Sequence, residues 1–412
     1  MSTTRRDFLR AGLGASTLMT LGPAASHLLA DSAAATPSQH GDRDTVLVVV
    51  QLTGGNDGLN TVVPYADDEY ARNRTTLRLP TNELHKIDST LAFHPRMEAF
   101  LRLYKDGYLS IVQGVGCPDP DQSHERAMRI WHSADPQRPE RETGWLGRVA
   151  DGFRDAGNTD TTAVFVGPIA RPFALNAERA IVPCIRSAQD FTIRTMPDRA
   201  SGVSEPAGAG TDDMLLQFLR QSTLDARAKS KRIESVVNST AKTADYPSFG
   251  LANDLHAIAQ LIRADIGIRI FFAELGGGGI GGFDNHANQL GNHCAMLYQL
   301  AESVAAFVYD LKRDHSLDRV LLMTFSEFGR TVKENGRRGT GHGGAAPIFL
   351  ACGKLKGGLV GPHPSLTDLD NGGLKFHTDF RQVYATVLDR WLGFDSEPVL
   401  GNRFQPLDVM QA

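Results

Sequence analysis

Apolar positions in this chain fall into two kinds of run. Thr45–Leu52 is a continuous, β-branched stretch that ends in Thr53-Gly54-Gly55. Unbroken apolar character, rather than alternation, is what a strand buried on both faces of a parallel sheet requires. The same signature predicts strands at 109–115, 163–166, 268–272, 319–325 and 347–351. Between them, apolar residues recur at helical spacing, predicting helices over 95–105, 125–133, 251–264 and 288–312. Strands alternating with helices indicate an α/β domain with a mostly parallel central sheet and helices on both faces. Residues 196–250 break the alternation with a Gly/Ala/Pro-rich loop and a polar helix over 212–242, read as a helical insertion.

Ahead of the first strand the pattern changes. Thr4-Arg5-Arg6-Asp7-Phe8-Leu9-Arg10 precedes a weakly apolar, small-residue stretch that Gly12, Gly14, Gly22 and Pro23 interrupt too often for a membrane span. This is the pattern of a twin-arginine export signal over 1–35, with candidate cleavage points between Ala25 and Ala35. A polar linker at 36–43 follows, then one α/β domain over 44–412. The expected partner is the twin-arginine translocation machinery, which exports folded proteins, and the expected location is the periplasm or beyond. No later segment offers an unbroken apolar run long enough for a span, so no membrane span is expected in the mature chain. The formal charge of -4 gives no support for nucleic-acid binding. The cysteines at 117, 184, 294 and 352 lie far apart, which excludes a Cys-x-x-Cys motif and a cysteine-based zinc finger. An oxidising compartment leaves one or two disulfides open, which spacing does not identify; all four are read as packing residues.

In open α/β sheets, ligands gather beyond the carboxyl ends of the strands. Asn56-Asp57 follows the first strand, Ser326-Glu327 follows the strand ending at Phe325, and Asp284-Asn285-His286 follows a strand and a glycine loop at 276–282. Asp57, held by glycines at a strand tip, is either a turn former or a metal carboxylate. Asp284 and His286 offer oxygen and nitrogen donors, with His293 further along; Asp284 is equally placed to cap the following helix. Ser123-His124 opens a helix, where a hydroxyl meets free backbone N–H groups and the positive dipole end. That suits a metal-activated nucleophile and equally an ordinary N-cap. His342, flanked by glycines in a loop, reads as a metal ligand or a contact to the transferring group. Arg330, Arg337 and Arg338 precede it and are placed to grip an anion.

Several strings together resemble one family. They are Gln-Leu-Thr-Gly-Gly-Asn-Asp-Gly-Leu-Asn at 51–60, Ser123-His124 with Trp131, and Gly144-Trp-Leu-Gly-Arg148. Gly-Gly-Phe-Asp-Asn-His at 281–286, Thr-Phe-Ser-Glu-Phe-Gly-Arg-Thr at 324–331 and Gly-Thr-Gly-His-Gly at 339–343 complete the set. The chain resembles the domain of unknown function 1501 family, grouped with the alkaline phosphatase and sulfatase superfamily. The resemblance implies an alkaline phosphatase-like sheet and an exported hydrolase or transferase of phosphate or sulfate esters. It implies Ser123 and His342 as catalytic residues, and one divalent metal ion held by Asp57, Asp284, His286 and Glu327. Asn56, His124 and Arg330 are expected to bind the anionic ester substrate. Two departures stand out: Phe328 replaces a metal-binding histidine, and Gly341 replaces an aspartate. They motivate the alternative of a non-catalytic envelope binding or assembly protein.

Overall fold

The computed structural model describes residues 44–118, 120–138, 140–156, 161–191, 245–277 and 282–411, with isolated positions at 19–20, 194–195, 228, 231 and 235–236. The expected signal, linker and most of the expected insertion lie outside the described residues. Among the described residues, no helix is long and apolar enough to cross a membrane.

Among the described residues, nine strands form the central sheet: β1 (Val46–Leu52), β2 (Leu109–Gly116), β3 (Ala163–Val166), β4 (Cys184–Ile185), β5 (Ile270–Leu275), β6 (Val320–Phe325), β7 (Ala346–Ala351), β8 (Gly358–Val360) and β9 (Thr378–Asp379). Their order is β8-β2-β7-β6-β1-β5-β3-β4, with β9 also on β2. All pairings are parallel except those of β7, which runs antiparallel to both β6 and β2. The mostly parallel sheet expected from the apolar runs is therefore present, with one reversed strand that periodicity could not reveal.

Every residue of β1 is buried. Val46, Val48, Val50 and Leu52 enter one core, and Leu47 and Val49 enter the other, as strand alternation demands. Fully burying each such side chain contributes roughly 1.5–3 kcal/mol before entropy is counted. Helices α1 (Glu98–Lys105), α4 (Gly250–Ala264) and α5 (Gln289–Arg313) cover the first face. On the second lie α2 (His124–Ser133), α3 (Trp145–Asp155) and α6 (Phe380–Ala385), the last running on as a π-helix over Thr386–Leu392. Periodicity did not predict α3, whose glycines weaken helix propensity. Gly147 is there for contact: a Cβ would lie 1.9 Å from the Asn176 carbonyl oxygen.

Cys117 and Cys352 are buried as expected, whereas Cys184 is exposed and Cys294 only half-buried. The packing role holds for two of the four.

Candidate functional site

The parallel strands β1, β5 and β6 end on the same edge of the sheet, and the chain leaving each one builds the site. After β1, the Gly54 N–H donates to Glu327 Oε1 at 2.8 Å, fixing the carboxylate that follows β6. The Glu327 side chain is wholly enclosed. Its Oε1 also accepts a 2.9 Å hydrogen bond from His124 Nδ1, at the start of α2. That bond and the Glu327 charge raise the His124 pKa. With Nδ1 engaged, Nε2 of His124 faces Asp284 Oδ2 at 3.4 Å, close enough for charge attraction. The angle does not make a hydrogen bond, and this buried nitrogen has no partner.

His342 is set in the same way. Its Nδ1 lies 2.5 Å from the Gln122 carbonyl oxygen, a donating contact that leaves Nε2 pointing at Asp284 Oδ1, 3.2 Å away. His286 Nε2 approaches Asp284 Oδ1 at 3.0 Å and His342 Nε2 at 2.9 Å. One ligand atom from each of His124, Asp284 and His342 lies within 4.8 Å of the others. Burial pushes the Asp284 carboxyl up, but the Arg330 hydrogen bond and charge overcome it and hold the group at about 2. Burial lowers His286, outweighing the pull of Asp284.

Phe328 forms the floor of this cluster. It stacks on His342 with centroids 4.4 Å apart and leans on His124 at 4.9 Å. Gly55, at φ +80°, makes room for it, since a Cβ there would lie 2.4 Å from the Phe328 ring. The expected departure from a histidine is thus a packed aromatic wall.

Other expected residues stand elsewhere. Asp57 is buried and its carboxylate is taken by Arg74, with Nη1 at 2.5 Å from Oδ2 and Nη2 at 2.8 Å from Oδ1, and by Gln289 Nε2. Burial pushes its pKa up, Arg74 more than reverses this, and the group rests at about 2. The structure does not bring Asp57 to the cluster, because its position suits the buried arginine instead. Glu327 stands behind His124, and does not join the converging atoms. Asn56 Oδ1 meets His293 Nε2 and Thr61 Oγ1, both at 3.0 Å, so Asn56 and His293 belong to the network around Asp57 and not to the cluster. Arg330 has no exposed side-chain surface; it holds the carbonyls of Gly55 and Phe283 together with Asp284. It clamps three loops and leaves no group for a substrate. Arg337 and Arg338 are exposed.

Ser123 is exposed at the N-cap of α2 and its hydroxyl makes no capping bond. It lines a cleft of about 570 Å³ with Arg129 and Phe173. The cluster itself borders a neighbouring cleft of about 700 Å³, walled by His124, Met128 and His132 of α2 and by Ile169, Pro172 and Glu274. Those three α2 residues recur at i, i+4 and i+8, one face of the helix. That spacing was the available signal that His124 faces inward, whereas nothing in the sequence paired Asp57 with Arg74.

The sequence matches the family model described as "Protein of unknown function (DUF1501)" over residues 44–402, and the chain belongs to that family. No curated protein matches it. Among solved structures, the C-terminal periplasmic domain of EcEptC from Escherichia coli, in complex with zinc, is 11% identical with a TM-score of 0.37, covering 76% of this chain and 74% of that one. A protein in the alkaline phosphatase superfamily from Vibrio parahaemolyticus is 10% identical with a TM-score of 0.37, covering 92% and 77%. The lipoteichoic acid synthase LtaP from Listeria monocytogenes is 10% identical with a TM-score of 0.34, covering 94% and 80%. Likenesses this remote assign neither substrate nor metal to the chain.

Proposed function

We propose that this family member is an exported, metal-dependent hydrolase or transferase of phosphate or sulfate esters, reaching its place of action through the twin-arginine machinery. Its one divalent cation would be held by His124, Asp284 and His342, with His286 alongside. One observation carries the reading: two imidazoles, each engaged at Nδ1 from behind, turn their Nε2 atoms toward a single carboxylate.

The donors fit such an ion. Imidazole nitrogens with a carboxylate suit zinc or a similar borderline cation. Hydrogen bonds donated by the two Nδ1 atoms to Glu327 and to the Gln122 carbonyl fix the ring orientation and tautomer, as the partners of metal-bound histidines do. The unpartnered His124 Nε2 is a buried polar atom that such an ion would satisfy. When bound, the cation would draw charge from the ester's oxygens as the bond to the leaving group breaks.

The chain's own residues supply the rest. Glu327 holds His124 in place, Arg330 fixes Asp284, and Phe328 shields the cluster from water beneath. Ser123, adjacent to His124 and uncommitted as a cap, is the proposed nucleophile. A second reading, a non-catalytic binding or assembly protein, draws on Phe328 and on the Arg330 charge already neutralising Asp284.

Elemental mass spectrometry on the folded chain, paired with ester turnover, separates the two. The first reading expects about one equivalent of a divalent metal, lost in His124→Ala, with Ser123→Ala keeping the metal and losing turnover. A metal-free protein whose stability ignores chelators would establish the second reading instead.

A further inference from the structure

Glu274 ends β5 on the face of the sheet covered by α2, one position from the strand's last residue, and lines the cleft that holds the cluster. It pairs in register with Gln51 of β1. A directed hydrogen-bond chain runs into it from the helix. His132 Nε2 lies 2.6 Å from Gln51 Oε1, Gln51 Nε2 donates to Thr53 Oγ1 at 2.7 Å, and Thr53 Oγ1 donates to Glu274 Oε1 at 2.5 Å. Because the Gln51 amide nitrogen is the donor to Thr53, its oxygen accepts from His132, and every donor in the chain points toward Glu274. His132 is fully buried, and burial lowers its pKa to about 3, so it stays neutral and holds the chain in this sense at ordinary pH.

The position relative to the cluster is narrow. Consecutive residues hold the two carboxylates: Thr53 binds Glu274 and Gly54 binds Glu327, which in turn carries His124. Two strand spacings, about 10 Å, separate β5 from β6. The backbone at Gly277 passes close to this carboxyl, since a Cβ there would lie 1.7 Å from Glu274 Oε1. Burial, joined by the charge of Glu327, raises the Glu274 pKa, while Thr53 acts the other way. The other charged or titratable groups lining the cleft are Glu125, Asp284, His124 and His132.

We infer that Glu274 is the general acid of this site, protonating the oxygen of the departing group; the inference rests on the ester-hydrolase or transferase reading. The incoming oxygen, of Ser123 or water, bonds to phosphorus or sulfur and releases its proton to bulk water. The bond to the leaving oxygen breaks, its electron pair stays on that oxygen, and the Glu274 carboxyl proton moves there, releasing an alcohol. On the Ser123 route, water or an acceptor hydroxyl then bonds to the phosphorus or sulfur, the bond to the serine oxygen breaks and that oxygen takes up the proton the incoming group releases; solvent returns a proton to Glu274. The Thr53 bond occupies Oε1, so Oε2 is the oxygen left to deliver the proton.

The test is Glu274→Gln, close in size and unable to give up a proton, assayed on a nitrophenyl ester and an alkyl ester of the same acid. General acid catalysis typically contributes about 10²–10⁴-fold. The alkyl ester needs a proton on departure and should slow by about that factor, whereas nitrophenolate leaves unaided and should slow less than about tenfold. Metal content should match the wild type. Infrared difference spectra taken above the ordinary glutamate pKa of about 4.3 should show one protonated-carboxyl band more in the wild type than in the variant, which keeps the band of Asp254. Equal losses on both esters, no loss on either, or no such extra band overturns the inference while leaving the wider reading in place. A wild type that turns over neither ester overturns both.

Discussion

Replacing Asp57 by asparagine separates scaffold from site. Asp57 and Arg74 are both fully buried and joined by two hydrogen bonds, with Gln289 on the same carboxylate. The carboxyl rests at about 2 against an ordinary 3.8, which corresponds to roughly 2 kcal/mol at neutral pH. Because its folded pKa is depressed, that contribution is complete above about 3.8 and is lost as pH falls toward 2. The asparagine variant does more than forfeit this, because it strands a buried guanidinium, and breaking one partner of such a pair costs about 3–5 kcal/mol. With an unfolding entropy of roughly 2.1 cal/mol/K per residue over roughly 370 residues, Tm should fall by about 4–6 °C. Guanidinium unfolding at pH 7, beside metal analysis of the same sample, reads both quantities. The double variant Asp57→Asn/Arg74→Met should recover much of the loss, since an apolar pair replaces a stranded charge. Asp57→Asn with wild-type stability and no metal would refute the argument, for Asp57 would then be a ligand.

Other outcomes follow from the same contacts. Glu327→Gln should weaken metal binding by about 10–100-fold, measured by competition with a chelator, because it loosens the ring orientation of His124. Gly54→Ala should destabilise the fold and deplete the metal together, since Gly54 has φ +116° and a Cβ would lie 2.4 Å from the Asp284 nitrogen; differential scanning calorimetry with metal analysis checks this. Acidification should destabilise the protein between about pH 6 and 4. Burial lowers His94 and His132 to about 3 and His293 to about 4, so the unfolded chain takes up protons that the fold refuses. Asp254, raised by burial to about 7, retains a proton in the fold and opposes the trend. The lowered histidines outnumber the raised carboxyls, so stability should fall as the pH drops; urea midpoints that do not move across that range would contradict it.

The sheet was legible because its strands are buried on both faces, and an unbroken apolar run such as Val46–Leu52 is hard to place anywhere but in a sheet interior. Reversal of β7 was not, since strand direction leaves no trace in composition. The region of the site was legible for a topological reason: Glu327, Asp284 and His342 all follow strands or glycine loops at one edge. Individual roles were less so. Asp57 and Asp284 look alike in sequence, each an acidic residue after glycines, and each meets a buried arginine in the fold; what separates them is that Asp57 is enclosed with Arg74 while Asp284 stays part-exposed beside three histidines. Arg330 resembled an anion grip because its burial depends on three loops far apart in the chain. His124 was expected to touch substrate, and the Glu327 contact that sets its ring is the ground for proposing it as a metal ligand instead.

His124, Asp284 and His342 come from three separate stretches of chain, each anchored to a different part of the sheet edge. A cation held by all three would therefore behave thermodynamically as a reversible cross-link. It would close long loops whose ends the unfolded chain seldom brings together. Such an ion binds the folded chain in preference to the unfolded one, so each tenfold rise in free metal above the dissociation constant adds about 1.4 kcal/mol to stability. The melting temperature would then report the metal concentration of the protein's surroundings, whether or not an ester is present.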